Sequence, residues 1–429
     1  MHHDGKRFER IDATTGDISG AILWLCWRIW GSRSMNVAID AVGIRGHGGA
    51  AVLCELLHWL PHVRPDWLWH AFLFERDFRE FDDPPISDRV TIEYARHGDS
   101  GAARLAWVNS KLQKRVREIG ADLILSFANI GARRPAIPQV VLVHQRNAFF
   151  NDGMTQGVFL NRLRMSFLRR QILAGAKASK VVIVQTEGMR DRMQQFEPSL
   201  AGRIQVIPSG YRTSSTHPQI RKEVRETILS TSRPRLIYIS HPSEHKNHLN
   251  LLRSLPIMIK VWPSLKLLLT LEGNQFPNKR YASFIAEIRK TAIALDVEKN
   301  LTLLGILKPD EVYNALSNCD IMVFPSLSES FGLGLAEAMA AGCPIAASNL
   351  PYAHNVAGDA AAYFDPKDPE SIARAVLSLL DNPFEVARLK KEGARLKSNY
   401  SYANIAERIV RVFESHDTVL LEDMDVPKR

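Results

Sequence analysis

The chain has 429 residues, which favours two domains over one, and its 45% hydrophobic and 24% charged content is globular rather than disordered or fibrous. Its four cysteines, Cys26, Cys54, Cys319 and Cys343, show no CxxC spacing, which speaks against zinc or a disulfide framework and fits a reducing compartment. Residues 1–215 hold 29 Lys+Arg against 21 Asp+Glu, or +8, and residues 216–429 hold 26 against 25, or +1, so an anionic partner or surface is expected on the first half; a merely soluble basic surface accounts for the same count.

From the N-terminus, no stretch reaches the roughly 20 apolar residues that span a bilayer. The nearest, Ala21–Trp30 (AILWLCWRIW), is short and carries Arg28, and the acidic residues before it do not make a signal peptide. Residues 1–34 read as a poorly ordered extension; an interfacial segment is the alternative. Strands are expected at Asn36–Ile44, Leu68–Phe74, Asp122–Phe127, Val140–His144, Lys180–Val184 and Ile204–Pro208, with a glycine-rich turn Gly46-His47-Gly48-Gly49 and a helix Ala50–Leu60 after the first. Tyr211–Pro218 is a polar connector. A second series follows: strands at Arg235–Ser240, Lys266–Leu271, Leu301–Gly305, Asp320–Pro325 and Pro344–Ser348, and helices at Asn247–Val261, Ser283–Leu295 and Pro309–Ser317. After Asp365 the pattern is helical, with Asp368-Pro369-Glu370 as a start signal and helices near Phe384–Asn399 and Tyr402–Ser415. The fold class is therefore α/β, with two tandem Rossmann-like domains at 35–215 and 216–400 facing each other across a deep cleft, and a C-terminal helix and tail at 401–429 expected to pack back on the first domain.

Chemistry concentrates in Pro325–Ser348. From Phe331 to Gly342 every side chain is apolar or absent except Glu337. A carboxylate on a helix that is apolar all round is costly unless something bonds it. The helix reads as starting behind Ser330, Gly332 and Gly334, with Glu329 just before it, so two acids flank an anion-binding helix N-terminus. Such a site suits a ligand with hydroxyls at both ends and phosphate between. Equally, Glu329 can be a helix-start charge and Glu337 a buried group paired with arginine.

Other candidates stand apart in the chain. Lys246, in SHPSEHKN between a strand and a helix, can neutralise a leaving diphosphate, or can be a solvated helix-start lysine. His144 ends a buried strand, and a lone histidine there is as readily structural; Arg146 nearby can meet an acceptor phosphate. Gly46, Gly48 and Gly49 can admit phosphate or acceptor to the backbone, or simply permit tight packing. Phe159–Lys177 interleaves Arg162, Arg164, Arg169, Arg170 and Lys177 with apolar residues, which suits either an anionic membrane or ordinary packing on a sheet.

The string SESFGLGLAEAMAAGCP resembles the E-x7-E signature of the retaining glycosyltransferases of family 4 (group 1), which have the GT-B fold. The similarity continues through DIMVFPSLSES before it and AAYFDPKDPESIARAV after it, and is weaker in the first domain. The resemblance implies that Glu329 contacts the transferred sugar, Glu337 the ribose of a nucleotide diphosphate sugar, and the backbone at Phe331, Gly332 and Leu333 the diphosphate or sugar. It also implies that His144 touches the donor sugar and that Lys246 neutralises the leaving group. Where the family usually has Arg-x4-Lys, this chain has His241-x4-Lys246, so the usual two-cation clamp keeps its lysine and changes its partner. The expected activity is metal-independent transfer of a hexose, of mannose type, to a polysaccharide or lipid-linked glycan. The expected partners are the nucleotide diphosphate sugar as co-substrate, the glycan or lipid-linked acceptor and an anionic membrane surface, with no cofactor and no nucleic acid. The expected place is the cytoplasm, on the inner face of the cell membrane. The alternative function is a non-catalytic nucleotide-sugar-binding subunit. A dinucleotide oxidoreductase is excluded because Ala51 breaks G-x-G-x-x-G.

Overall fold

The computed structural model describes residues 34–44, 47–74, 87–95, 100–150, 159–211, 220–271 and 279–424. Seven parallel strands, β1 (Asn36–Asp40), β2 (Leu68–Phe74), β3 (Val90–Ala95), β4 (Leu123–Ser126), β5 (Gln139–Val143), β6 (Val181–Val184) and β7 (Ile204–Val206), pair in the order β3-β2-β1-β4-β5-β6-β7. Six more, β8 (Arg235–Tyr238), β9 (Lys266–Leu269), β10 (Leu301–Leu303), β11 (Ile321–Phe324), β12 (Ile345–Ser348) and β13 (Ala361–Phe364), pair as β10-β9-β8-β11-β12-β13. The central strands read as continuous apolar runs because helices cover both sheet faces.

The helices of the first unit are α1 (His47–Val63), α2 (Gly101–Ala106), α3 (Leu112–Glu118), α4 (Phe159–Lys177) and α5 (Glu187–Phe196). Those of the second are α6 (Lys222–Ser230), α7 (His248–Val261), α8 (Lys279–Ala294), α9 (Pro309–Ser317), α10 (Leu333–Ala341), α11 (Pro351–Ala357), α12 (Pro369–Asp381) and α13 (Pro383–Leu396). The last helix, α14 (Tyr402–Met424), returns to the first unit: Ile405, Ile409 and Phe413 join Leu53, Leu57 and Trp67 in one core. Where it leaves the second unit, Tyr211 N–H donates to the Tyr400 carbonyl at 2.8 Å. The two crossing segments thus run side by side, and a side chain at Gly210 would strike the Tyr402 ring at 2.9 Å. No described helix is long and apolar enough to cross a membrane.

Both sheets reverse strand order once, between β1 and β4 and between β8 and β11. Crevices form outside the carboxyl ends of strands at such reversals. This is why two loops far apart in sequence, after β8 and after β11, come to lie against each other.

Several boundaries move from the sequence expectation. Most strands are trimmed by one to four residues, β5 is shifted one residue toward the N-terminus, and β2 and α9 match it. The expected glycine-rich turn is not a turn where it is described, because α1 already begins at His47 and takes in Gly48 and Gly49. Strands β3 and β13 and helices α6 and α11 went unread. VTIEYA in β3 is an edge strand with a half-exposed Glu93, and AAYF in β13 is short and alanine-rich, so neither carries a strong strand pattern. Residues 1–33, Gly46 and residues 212–218 of the connector lie outside the described residues.

At the β1 end, Asp40 is fully buried and accepts from Arg104 Nη1 at 2.9 Å, Arg104 Nη2 at 2.7 Å and Trp107 Nε1 at 3.0 Å. Gly43, at φ +106°, leaves room for this arginine; a Cβ there would lie 3.2 Å from Arg104 Cδ. Asp40→Asn strands a buried guanidinium, and is expected to lower unfolding stability by about 3–5 kcal/mol in urea titration; an unchanged midpoint would contradict the pair's structural role.

Candidate active site

The turn after β8 is a single 3₁₀ turn, Glu244–Lys246, closed by Asn247 in the left-handed region at φ 59°. Asparagine tolerates that conformation. Its Nδ2 then donates to the carbonyls of Pro325 at 3.0 Å and Pro366 at 2.7 Å, while Leu327 N–H donates to the His245 carbonyl at 2.8 Å. The turn is thereby fastened to the loop after β11. Lys246 Nζ meets Glu329 Oε1 at 2.7 Å, and both side chains are only 12% exposed. Burial pushes the Glu329 carboxyl up, but the Lys246 ammonium and hydrogen bonds from Lys246 and Ser326 outweigh it and leave its pKa below the ordinary range. The two residues are therefore one ion pair, which the sequence, where they stand 83 positions apart, did not disclose.

Helix α10 begins at Leu333, earlier than expected, so Gly334 lies inside it. Gly332 precedes it at φ +95°, a conformation for glycine, and no side chain caps the helix. A Cβ on Gly332 would also crowd Leu335 at 3.3 Å and Tyr352 at 3.4 Å. Phe331 is core, its ring 5.6 Å from that of Tyr400, so it can offer a ligand only backbone. The helix N-terminus thus presents bare N–H groups beside Glu329.

Glu337 is half-buried on α10, and among the described residues no hydrogen bond or ion pair reaches it. An arginine partner, one of the two sequence readings, is thereby removed among the described residues. Burial pushes its carboxyl up to about 7, from an ordinary 4.5. A carboxyl held above its unfolded value contributes stability that is fully present below about 4.5 and is lost as pH rises through 7. Thermal stability is expected to fall more between pH 5 and 8 in the wild type than in Glu337→Gln; parallel curves would contradict this burial.

His144 follows β5. Its backbone N–H donates to Asn129 Oδ1 at 2.7 Å, and Asn129 Nδ2 lies 3.1 Å from its Nε2. The Asn129 oxygen being taken, its amide donates to Nε2, which leaves the ring proton on Nδ1. Burial pushes the imidazole down to about 4, so it is neutral. Arg146 Nη1 donates to Ser328 Oγ at 2.5 Å, and its guanidinium lies 4.2 Å over the Phe150 ring. It therefore bridges the first unit to the loop that carries Glu329.

A cleft opens between the units, with His144, Arg146, Phe150 and Thr186 on one wall and Glu329, Ser330 and Tyr352 on the other. The structure thus brings His144, Arg146, Glu329 and, through its ion pair, Lys246 around one space. Among the described residues, Glu337, His241 and Gly49 do not line it. His241 is exposed, its ring 6.0 Å from that of His245 and 5.8 Å from that of Tyr281. Gly49 is set by packing, since a Cβ there would meet Ile44 at 2.9 Å, and Gly46 lies outside the described residues. Tyr238, Asn247, Ser326, Tyr352 and Asn129 also build the site and were not anticipated; only the helix-start position of Asn247 and the place of Asn129 in the loop after β4 hinted at them.

Residues 219–396 match the family model "Glycosyl transferases group 1". The alpha-monoglucosyldiacylglycerol synthase of Streptococcus pneumoniae is 24% identical over 258 residues, 58% of this chain and 55% of that protein. A glycogen synthase of Mycobacterium tuberculosis is 26% identical over 283 residues, 65% of this chain and 63% of that protein. The chain therefore spans under two thirds of the length of these relatives. In solved structures, sucrose-phosphate synthase from Thermosynechococcus elongatus superposes with a TM-score of 0.71 at 17% identity, over 90% of this chain and 100% of that one. Anabaena HepE in complex with UDP and glucose gives 0.67 at 17% identity, over 89% and 100%. The two parallel sheets thus have the GT-B fold of these solved structures, and the family match falls on the residues of the second sheet.

Proposed function

We propose that this protein is a retaining, metal-independent glycosyltransferase of family 4 that moves a hexose, of mannose type, from a nucleotide diphosphate sugar to a polysaccharide or lipid-linked glycan. The observation that carries the reading is the Lys246–Glu329 pair on the cleft, beside an uncapped helix N-terminus and a carboxyl at Glu337 without a partner among the described residues. Lys246 and the α10 N–H groups stabilise the departing diphosphate, Glu329 orients the sugar, and Glu337 accepts the ribose hydroxyls. The acceptor oxygen bonds to the anomeric carbon as the carbon–oxygen bond to the β-phosphate breaks. The electron pair leaves with the phosphate, which takes the acceptor's proton. His144, neutral, offers its Nδ1–H to a sugar oxygen, and Arg146 faces the acceptor.

The donor assignment draws on HepE, solved with UDP and glucose. The mannose and glycan assignments draw on an O-antigen chain mannosyltransferase of Salmonella typhimurium, 23% identical over 63% of this chain. A membrane face is supported by α4, where Leu163 and Phe167 are 51% and 55% exposed among Arg162, Arg164 and Arg170. Each cation near an anionic surface adds about 1 kcal/mol. Co-sedimentation with anionic but not neutral vesicles checks this placement, and its absence removes it.

Purified protein mixed with a panel of nucleotide sugars tests the function. Slow release of a nucleoside diphosphate from a GDP- or UDP-hexose, undiminished by EDTA, is the expected result. Tight binding without turnover, even with acceptor extracts, would replace the enzyme by a nucleotide-sugar-binding subunit.

A further inference from the structure

Beneath the Lys246–Glu329 pair lies a pair of hydroxyls to which the mechanism above gives no task. Tyr238 ends β8 and Ser326 lies just past the end of β11, and both are fully buried. The two strands are neighbours, and Tyr238 Oη lies 2.8 Å from Ser326 Oγ. Tyr238 Oη is also 2.9 Å from the Lys246 carbonyl oxygen, and the Ser326 hydroxyl lies near enough to the Glu329 carboxylate to help hold its pKa down. One side of the pair thus touches the residue that carries the cation, and the other touches the anion.

The proton count is informative. Two hydroxyl protons serve three acceptors: the Lys246 carbonyl, the Glu329 carboxylate and whichever hydroxyl oxygen is left. A buried carboxylate has the strongest claim, so Ser326 donates to Glu329, and the Tyr238 proton is shared between Ser326 Oγ and the Lys246 carbonyl. The backbone around Ser326 is itself held, since Tyr352 Oη donates to the Ser326 carbonyl at 2.6 Å. When a donor diphosphate draws Lys246 toward itself, Glu329 loses its counter-ion. Ser326 then remains as a fixed donor that keeps the carboxylate ionised and aimed.

We propose that Tyr238 and Ser326 are positioning residues, a buried hydroxyl relay that sets the separation of Lys246 and Glu329 and supports Glu329 once Lys246 engages the donor. The proposal rests on the glycosyltransferase reading. Neither residue faces the ligand, so their loss is felt in turnover and not in nucleotide affinity.

The test compares wild type, Tyr238→Phe, Ser326→Ala and the double variant, with turnover and KM for nucleotide-sugar hydrolysis, the Kd of the nucleoside diphosphate that the wild type releases, and thermal stability. Each single variant is expected to lose about tenfold or more in turnover while nucleoside diphosphate Kd stays within about twofold. The double variant is expected to be no slower than the worse single one, because the two hydroxyls act as one unit. Unchanged turnover in both single variants would overturn the proposal. So would losses that multiply in the double variant in step with falling stability, the mark of generic packing damage. Either of those results leaves the glycosyltransferase reading intact, provided the wild type turns over; a wild type that hydrolyses no nucleotide sugar overturns both.

Discussion

Alanine at Lys246 is expected to lower turnover by roughly 10²- to 10³-fold, the scale seen when one preorganised charge-stabilising donor is removed from a water-poor site. Two effects act in the same direction. The leaving diphosphate loses its fixed cation, and Glu329 loses the partner 2.7 Å away that offsets the cost of its burial. The carboxylate pKa then rises, because its burial is no longer offset by the ammonium. Lys246→Arg is not expected to restore the rate, because a planar fork cannot place a single donor where the ammonium sits. Glu329→Gln should fall in the same range, with donor affinity less affected than turnover. Steady-state hydrolysis of the nucleotide sugar measures this; a loss below about tenfold in Lys246→Ala would remove the residue from the reaction.

Glu337→Ala is expected to cost most of the donor affinity and little of the fold. A carboxylate that accepts two ribose hydroxyls makes two charge-assisted hydrogen bonds, together worth at least about 3 kcal/mol, or roughly a hundredfold in Kd. No described residue pairs with Glu337, so alanine leaves no described group unsatisfied. The same carboxyl sits near 7 in the free protein. Accepting two hydroxyls requires the proton to leave, so wild-type affinity for the nucleoside diphosphate should strengthen as pH rises from 6 to 8, and Glu337→Gln should be flat over that range. Calorimetric titration reads both effects. Unchanged affinity in the alanine variant would sink the ribose assignment.

The architecture was readable because its signals are local. Apolar runs such as RLIY and IMVF announce β8 and β11, Asp368 before Pro369 announces α12, and Phe159–Lys177 carries the bounds of α4. The site was half readable. Glu329 and Glu337 stand out because a carboxylate beside or within FGLGLA-AMAAG is conspicuous; Glu329 lines the cleft and Glu337 does not. The Lys246–Glu329 pairing was not readable, because it depends on β8 and β11 being neighbours at the reversal of strand order. The Tyr238–Ser326 contact was hidden for the same reason; in sequence each is a polar residue at a strand end. The glycine run Gly46–Gly49 misled in the opposite way. Glycine permits a phosphate-binding turn, but it equally permits close packing of a first helical turn, and Gly49 against Ile44 is the latter.

The structure of this protein with the nucleoside diphosphate of its preferred donor tests the central claim most directly. The ribose hydroxyls are expected on the Glu337 carboxylate, the diphosphate at the N-terminus of α10, and its outer phosphate within hydrogen-bond reach of Lys246 Nζ. A nucleotide bound with its ribose away from Glu337, or its diphosphate against the first sheet instead of α10, would contradict it.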